Sequence, residues 1–142
     1  MTIKLRSFTN SVSSIKLHIV LVIAYRREVI TEEIELEILE MIDNICRKND
    51  CILEQGKADL LEGAHLHLLI DMAPKVTPSV LVNTIKTVTS REIRRRHREY
   101  LQPYLWGKSF WKRGYSILSS GGATIDTLKK YIEEQGLAAP EH

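Results

Sequence analysis

Five residues, Asp59-Leu60-Leu61-Glu62-Gly63, separate two stretches of strand character, Cys51 to Ala58 and Ala64 to Asp71. A parallel pair needs a crossover of about a dozen residues or more, so a link this short makes the pair an antiparallel hairpin. Side chains alternate between the faces of a strand, which sends His65, His67 and Asp71 to one side and Leu66, Leu68 and Ile70 to the other. Two imidazoles side by side on a sheet face can grip one metal ion. The same pattern arises in packed strands whose rings are hydrogen-bonded within the protein, and the spacing leaves both readings open.

Around the hairpin, strands alternate with helices. From Ile15 to Ala24 the residues Ile15, Leu17, Ile19, Leu21 and Ile23 alternate with Lys16, His18, Val20 and Val22. The later part is apolar on both sides, as in a central strand. The Ser- and Thr-rich residues before it read as a loose leader. Thr31 is placed to cap a helix, Glu32 and Glu33 suit its positive end, and Ile34, Ile38, Met41, Ile42 and Ile45 recur at helical spacing, predicting an amphipathic helix across a sheet. Thr77 and Pro78 open another, with Leu81, Ile85, Val88 and Ile93 as its apolar stripe. Phe110 to Ser119 contains a fourth strand, with Tyr115, Ile117 and Leu118 as its apolar part. Gly121-Gly122 breaks the chain, as a hinge or an ordinary loop, before a last helix at about 124–136 that opens on Thr124-Ile125-Asp126 and ends at Gly136.

At 142 residues, 44% hydrophobic and 27% charged, the chain has the size and make-up of one soluble globular domain spanning 1–142. Its longest apolar run, Ile19 to Ala24, is far shorter than the roughly 20 residues a bilayer needs, so no membrane partner is expected. The N-terminus lacks the zones of a signal peptide, which points to a cytoplasmic protein. Cys46 and Cys51 are not spaced as CxxC, and reduced, structural thiols are the default.

A net charge of +2 decides nothing about nucleic acid, but its distribution says more. Arg91, Arg94, Arg95, Arg96 and Arg98 crowd together, whereas acidic residues concentrate between Glu28 and Glu40. Arginines at a helix end are commonly just solvated. Followed by Trp106, Phe110 and Trp111 interleaved with Lys108, Lys112 and Arg113, they suit a surface that combines phosphate neutralisation with base stacking. Tyr25-Arg26-Arg27, closing the first strand, is either a solvated strand end or another phosphate contact. On pattern, the DNA-contacting set is Arg26, Arg27, Arg91, Arg94, Arg95, Arg98, Trp106, Lys108, Trp111, Lys112 and Arg113.

Tyr131 and Gln135 are four residues apart in the last helix and share a face. Two imidazole nitrogens and an amide oxygen can complete part of a divalent-metal shell, leaving a phenol one turn away. His65-Leu66-His67, the aromatic and basic segment from Leu105-Trp106-Gly107 to Tyr115, and Tyr131-Ile132-Glu133-Glu134-Gln135 together resemble the single-tyrosine transposases of the IS200/IS605 group, in the HUH endonuclease superfamily. Leu17-His18-Ile19-Val20 followed by Tyr25-Arg26-Arg27 resembles that family's first strand. The similarity runs in the family's order over nearly the whole chain after the leader. One position departs: family members often carry a polar residue, commonly Asp, before the first histidine, where this chain has Ala64.

The resemblance implies an α+β fold, an antiparallel sheet with flanking helices and a ferredoxin-like or RRM-like HUH core. It implies a homodimer acting on single-stranded DNA with hairpins at transposon ends. Carried over residue by residue, His65, His67 and Gln135 would hold Mg²⁺ or Mn²⁺ and Tyr131 would be the nucleophile. In similar transposases the tyrosine helix can complete the site of the partner subunit, with Gly121-Gly122 as the flexible link here. The implied reaction cleaves and rejoins DNA through a 5′-phosphotyrosine, which keeps the phosphodiester energy so that a different 3′ hydroxyl can reseal the strand without ATP. Two other readings use the same residues: a domesticated HUH nuclease acting on repetitive palindromes, and a catalytically inactive hairpin-binding protein, made thinkable by Ala64.

Overall fold

The computed structural model describes residues 5–24, 29–59, 64–105, 109–121 and 123–135, with the side chains of 105 and 131–135 outside that set. Strand β3 (Lys16–Val22) lies inside a four-stranded antiparallel sheet, between β5 (His65–Asp71) and β6 (Ser116–Ser119), and β4 (Ile52–Asp59) forms the edge beyond β5. The short link between β4 and β5 makes the expected hairpin, in which Lys57 faces His67 and Asp59 faces His65. A register shift between Leu53 and Gln55 bulges the edge strand.

Three helices follow in the spaces between strands: α1 (Glu32–Lys48), α2 (Pro78–Arg96) and α3 (Arg98–Leu105). Thr31 caps α1, its side chain accepting from the Ile34 N–H at 3.1 Å, which satisfies one of the helix's unpaired donors. Thr77 precedes α2 in extended backbone but makes no side-chain cap bond, and Pro78 supplies the preset first turn instead. The apolar sides of α1 and α2 cover one face of the sheet, where Ile19, Leu21, Ile23, Leu66, Leu68 and Ile70 meet Ile34, Ile38, Ile42, Leu81, Val82 and Ile85 in the main core. Cys46 and Cys51 are free and buried there.

Two expectations need correction. The residues read as a loose leader form a hairpin, β1 (Arg6–Phe8) with β2 (Ser11–Ser13). Arg6 ties it down, its Nε 3.4 Å from Asp71 and its Nη2 donating to the Asp50 carbonyl at 2.6 Å. Strands three residues long and mostly polar carry no alternation from which to read them. Trp111 is the second. It is buried with Phe110 in the core, and its indole N–H donates to Thr89 Oγ1 at 2.9 Å, so it offers no free ring face for base stacking. Thr89 is itself fully buried and donates to the Ile85 carbonyl at 2.6 Å, which satisfies the pair without water. The backbone around Trp111 pairs with Ile23, extending the line of β3 beyond its end.

Candidate active site

The register decides what shares the face opposite the main core. It brings together His18, Val20 and Val22 of β3, His65, His67, Leu69 and Asp71 of β5, and Gln55, Lys57 and Asp59 of β4. The last helix, α4 (Ile125–Gln135), lies on this face of its own chain. Ile125 and Leu128 bury themselves against Leu69 in a separate small cluster. Gln55 Oε1 accepts the Ile125 N–H at 3.1 Å, so a strand side chain fills a donor left open at the helix start. Lys129 pairs with Asp59 at 2.9 Å, both side chains mostly covered, whereas the Lys57–Asp126 pair at 3.4 Å is exposed and adds little.

These contacts fix the direction of α4. It starts beside Leu69 and reaches, at Lys129, the level of Asp59, which is the partner of His65. Tyr131 and Gln135 follow in its last turns, and their side chains lie outside the described residues. Gly121, before the helix, has a φ of +59° and is exposed, a conformation glycine adopts without strain. Gly122 lies outside the described residues.

His65 is half-buried and His67 buried, with ring centroids 6.3 Å apart. His67 Nδ1 is 3.1 Å from Nε2 of His18, a fully buried residue of the neighbouring strand whose ring plane lies 21° from its own with centroids 5.2 Å apart. That contact leaves His67 Nε2 as its other nitrogen. Burial pushes His18 down to about 4; burial first, then the neighbouring His18, Lys129 and His65, push His67 down to about 3. Both rings are therefore neutral at pH 7, the form that offers a lone pair to a metal. Two imidazoles on one strand face, His65 and His67, with a helix laid beside them, fit a divalent ion. Sequence reasoning named His18 in the first strand but did not join it to the site, because its partner is 49 residues away and only the strand register joins them.

Asp71 shares the face but sits at the far end of β5, beside Arg6. Burial raises its carboxyl above the ordinary value, with Arg6 opposing. Ala64 packs in the main core with Leu66 and Leu68, and its carbonyl accepts from Ile23 at 2.8 Å.

Among the cations, Arg91, Arg95, Arg98 and Arg113 are exposed and Arg94 and Lys112 are half-buried. Arg95 is held by Glu92 at 2.8 Å. Arg26, Arg27, Trp106 and Lys108 lie outside the described residues. An exposed aromatic pair that the sequence reading did not single out, Tyr100 and Tyr104 on α3, stands next to the arginines with centroids 6.2 Å apart. Their spacing of four in a helix was its sequence signal. Lys86 anchors the loop after Trp111, donating to the carbonyls of Lys112 at 2.9 Å and Gly114 at 3.4 Å.

Glu33, Glu37 and His97 also converge, their ligand atoms within 4.8 Å of one another. Glu37 is already engaged by His97 Nε2 at 2.6 Å and by Arg96 at 3.0 Å. Burial would raise its carboxyl, but these two bonds prevail and hold it below the usual range. A guanidinium on the carboxylate opposes a second cation, so the trio reads as a pin between α1 and the end of α2.

The family description "Transposase IS200 like" matches residues 11–135. The chain belongs to that family. Its function is accordingly that of a transposase, with DNA as the implied partner. The ISDra2 transposase TnpA of Deinococcus radiodurans is 26% identical over 124 residues, covering 87% of this chain and 86% of that relative. A crystal structure of a Deinococcus radiodurans R1 protein assigned to the transposases superposes with a TM-score of 0.72 at 22% identity, over 92% of this chain and 97% of that one. The second likeness carries the fold, an antiparallel four-stranded sheet flanked by helices. Among the described residues, no helix is long and apolar enough to cross a membrane.

Proposed function

We propose that this transposase cuts and rejoins single-stranded DNA through Tyr131, with His65, His67 and Gln135 holding Mg²⁺ or Mn²⁺. The observation that carries the reading is the docking of α4, which bears Tyr131 and Gln135, on the sheet face of His65 and His67. The phenol of Tyr131, with an ordinary pKa near 10, must lose its proton as it attacks. Its oxygen forms a bond to phosphorus, the bond from phosphorus to the 3′ oxygen breaks, and that oxygen leaves as a hydroxyl after taking up a proton. A divalent ion, when bound, stabilises the charge developing on the phosphate oxygens. His65 and His67 would hold that ion on the sheet face.

Resealing is the same step in reverse with a different 3′ hydroxyl, so no nucleotide cofactor is required. A single tyrosine handles one DNA end, and cutting two ends calls for a homodimer. Hairpin ends of the transposon are the proposed substrate, and the exposed Arg91, Arg95, Arg98 and Arg113 would meet their phosphates.

The test is to incubate the chain with Mg²⁺ or Mn²⁺ and single-stranded DNA from the flanks of its own gene. A denaturation-resistant protein-DNA band is expected for the wild type and none for Tyr131→Phe, which keeps hairpin affinity. An adduct in the Phe variant would remove Tyr131 from the reaction.

A further inference from the structure

We infer that His18 is a positioning residue that sets the tautomer of His67, so that metal uptake requires both rings to exchange tautomers together. The inference rests on the proposed role of His67 as a metal ligand. Its basis is the 3.1 Å contact between His18 Nε2 and His67 Nδ1, with both residues buried and their ring planes 21° apart, the near-coplanar arrangement an N–H···N bond requires. Two neutral imidazoles meeting nitrogen to nitrogen share one proton at the contact, which leaves two arrangements.

In the first, His18 donates from Nε2, and His67 carries its own proton on Nε2, the nitrogen a metal would need. In the second, His67 donates from Nδ1 and its Nε2 presents a lone pair. His18 then carries its proton on Nδ1, a buried atom with no hydrogen-bond partner among the described residues. A buried N–H without an acceptor is less tolerable than a buried lone pair without a donor, so the metal-free chain adopts the first arrangement. Coordination through His67 Nε2 demands the second. Each ring loses one N–H proton and gains one, so the exchange is neutral in protons overall. His18 thereby orients the His67 ring and accepts the hydrogen bond from its Nδ1–H, as partners behind metal-bound histidines do.

The test uses the full chain without DNA. Imidazole ¹⁵N NMR is recorded with and without Mg²⁺, and Mn²⁺ affinity is measured by calorimetry, for wild type, His67→Ala, His18→Leu and His18→Gln. Metal is expected to move the His67 proton from Nε2 to Nδ1 and the His18 proton from Nε2 to Nδ1. His18→Leu should weaken Mn²⁺ about 10-fold or more, the usual scale for removing such a partner. His18→Gln, whose amide oxygen can accept from Nδ1, should restore most of the affinity. His67→Ala with wild-type affinity would sink the ligand reading and this inference with it. Weakened His67→Ala beside unaltered His18→Leu would overturn the positioning role alone. Equal loss in His18→Leu and His18→Gln would reduce His18 to packing, and unchanged His67 tautomers on adding metal would overturn the exchange.

Discussion

Replacing Leu128 by Ala tests whether α4 is held to the histidine face by the contacts described. Leu128 is 8% exposed, and among the described residues it makes up a small buried cluster with Ile125 and Leu69. An eleven-residue helix is marginal alone in water, so its docking draws on this cluster, the Gln55 cap and the Lys129–Asp59 pair. Leu→Ala in a core costs about 2–5 kcal/mol, and a cluster at the sheet periphery can collapse or admit water, which selects the lower part, about 2–3 kcal/mol. At about 1.4 kcal/mol per factor of ten, protection of the α4 amides against hydrogen exchange should fall roughly 30- to 150-fold. Amides of β3 and β5, whose core lies on the other face, should keep their protection. The DNA adduct should form more slowly for want of a docked tyrosine helix. Unchanged α4 protection, or an equal loss across the central strands, would refute the reasoning.

The burial of His18 and His67 gives a pH dependence. Their folded values, about 4 and about 3, lie below the unfolded value near 6.5, so the unfolded chain binds more protons between these limits and stability falls as pH drops below about 6.5. At pH 5 the loss relative to pH 7 reaches up to about 2 kcal/mol per histidine, and urea unfolding in chelator at the two pH values should show it; equal midpoints would contradict the neutral buried pair. Thr89→Val keeps the volume but strands the Trp111 indole N–H, and should destabilise by about 1–3 kcal/mol in the same assay, with no change expected if the indole already finds another acceptor.

Alternation made β3 and β5 legible, since Leu66 and His67 are neighbours in sequence yet point to opposite layers. Periodicity likewise marked α1, and Thr31 caps where its residue type suggests. Trp111 misled because an aromatic among cations reads as surface, whereas Thr89, which fulfils its N–H, is 22 residues away. The β1–β2 hairpin has no apolar period, and its attachment comes from the reach of Arg6 to Asp50 and Asp71 and from Phe8 packing against the core. The docking of α4 was legible only in part. Tyr131 and Gln135 share a helix face by spacing, but Gln55, Asp59 and Leu69 announce no helix partner from within their strands.

The position of β3 between β5 and β6 also bears on the order of synthesis. Leu17 pairs with Ile70 on one side and with Ser119 on the other. During translation at roughly 5–20 residues per second, β5 is made several seconds before β6, and one flank of the most apolar strand stays unpaired meanwhile. An open, apolar strand edge is a template for pairing with other chains. A chain ending before Ser116 keeps that edge open for good, and light scattering at micromolar concentration should show it aggregating while the full chain stays dispersed. A monodisperse truncated chain would mean that the edge is sheltered without β6. The residues that close this edge immediately precede the helix that bears Tyr131, so a ribosome completes the sheet before it completes the means to cut DNA.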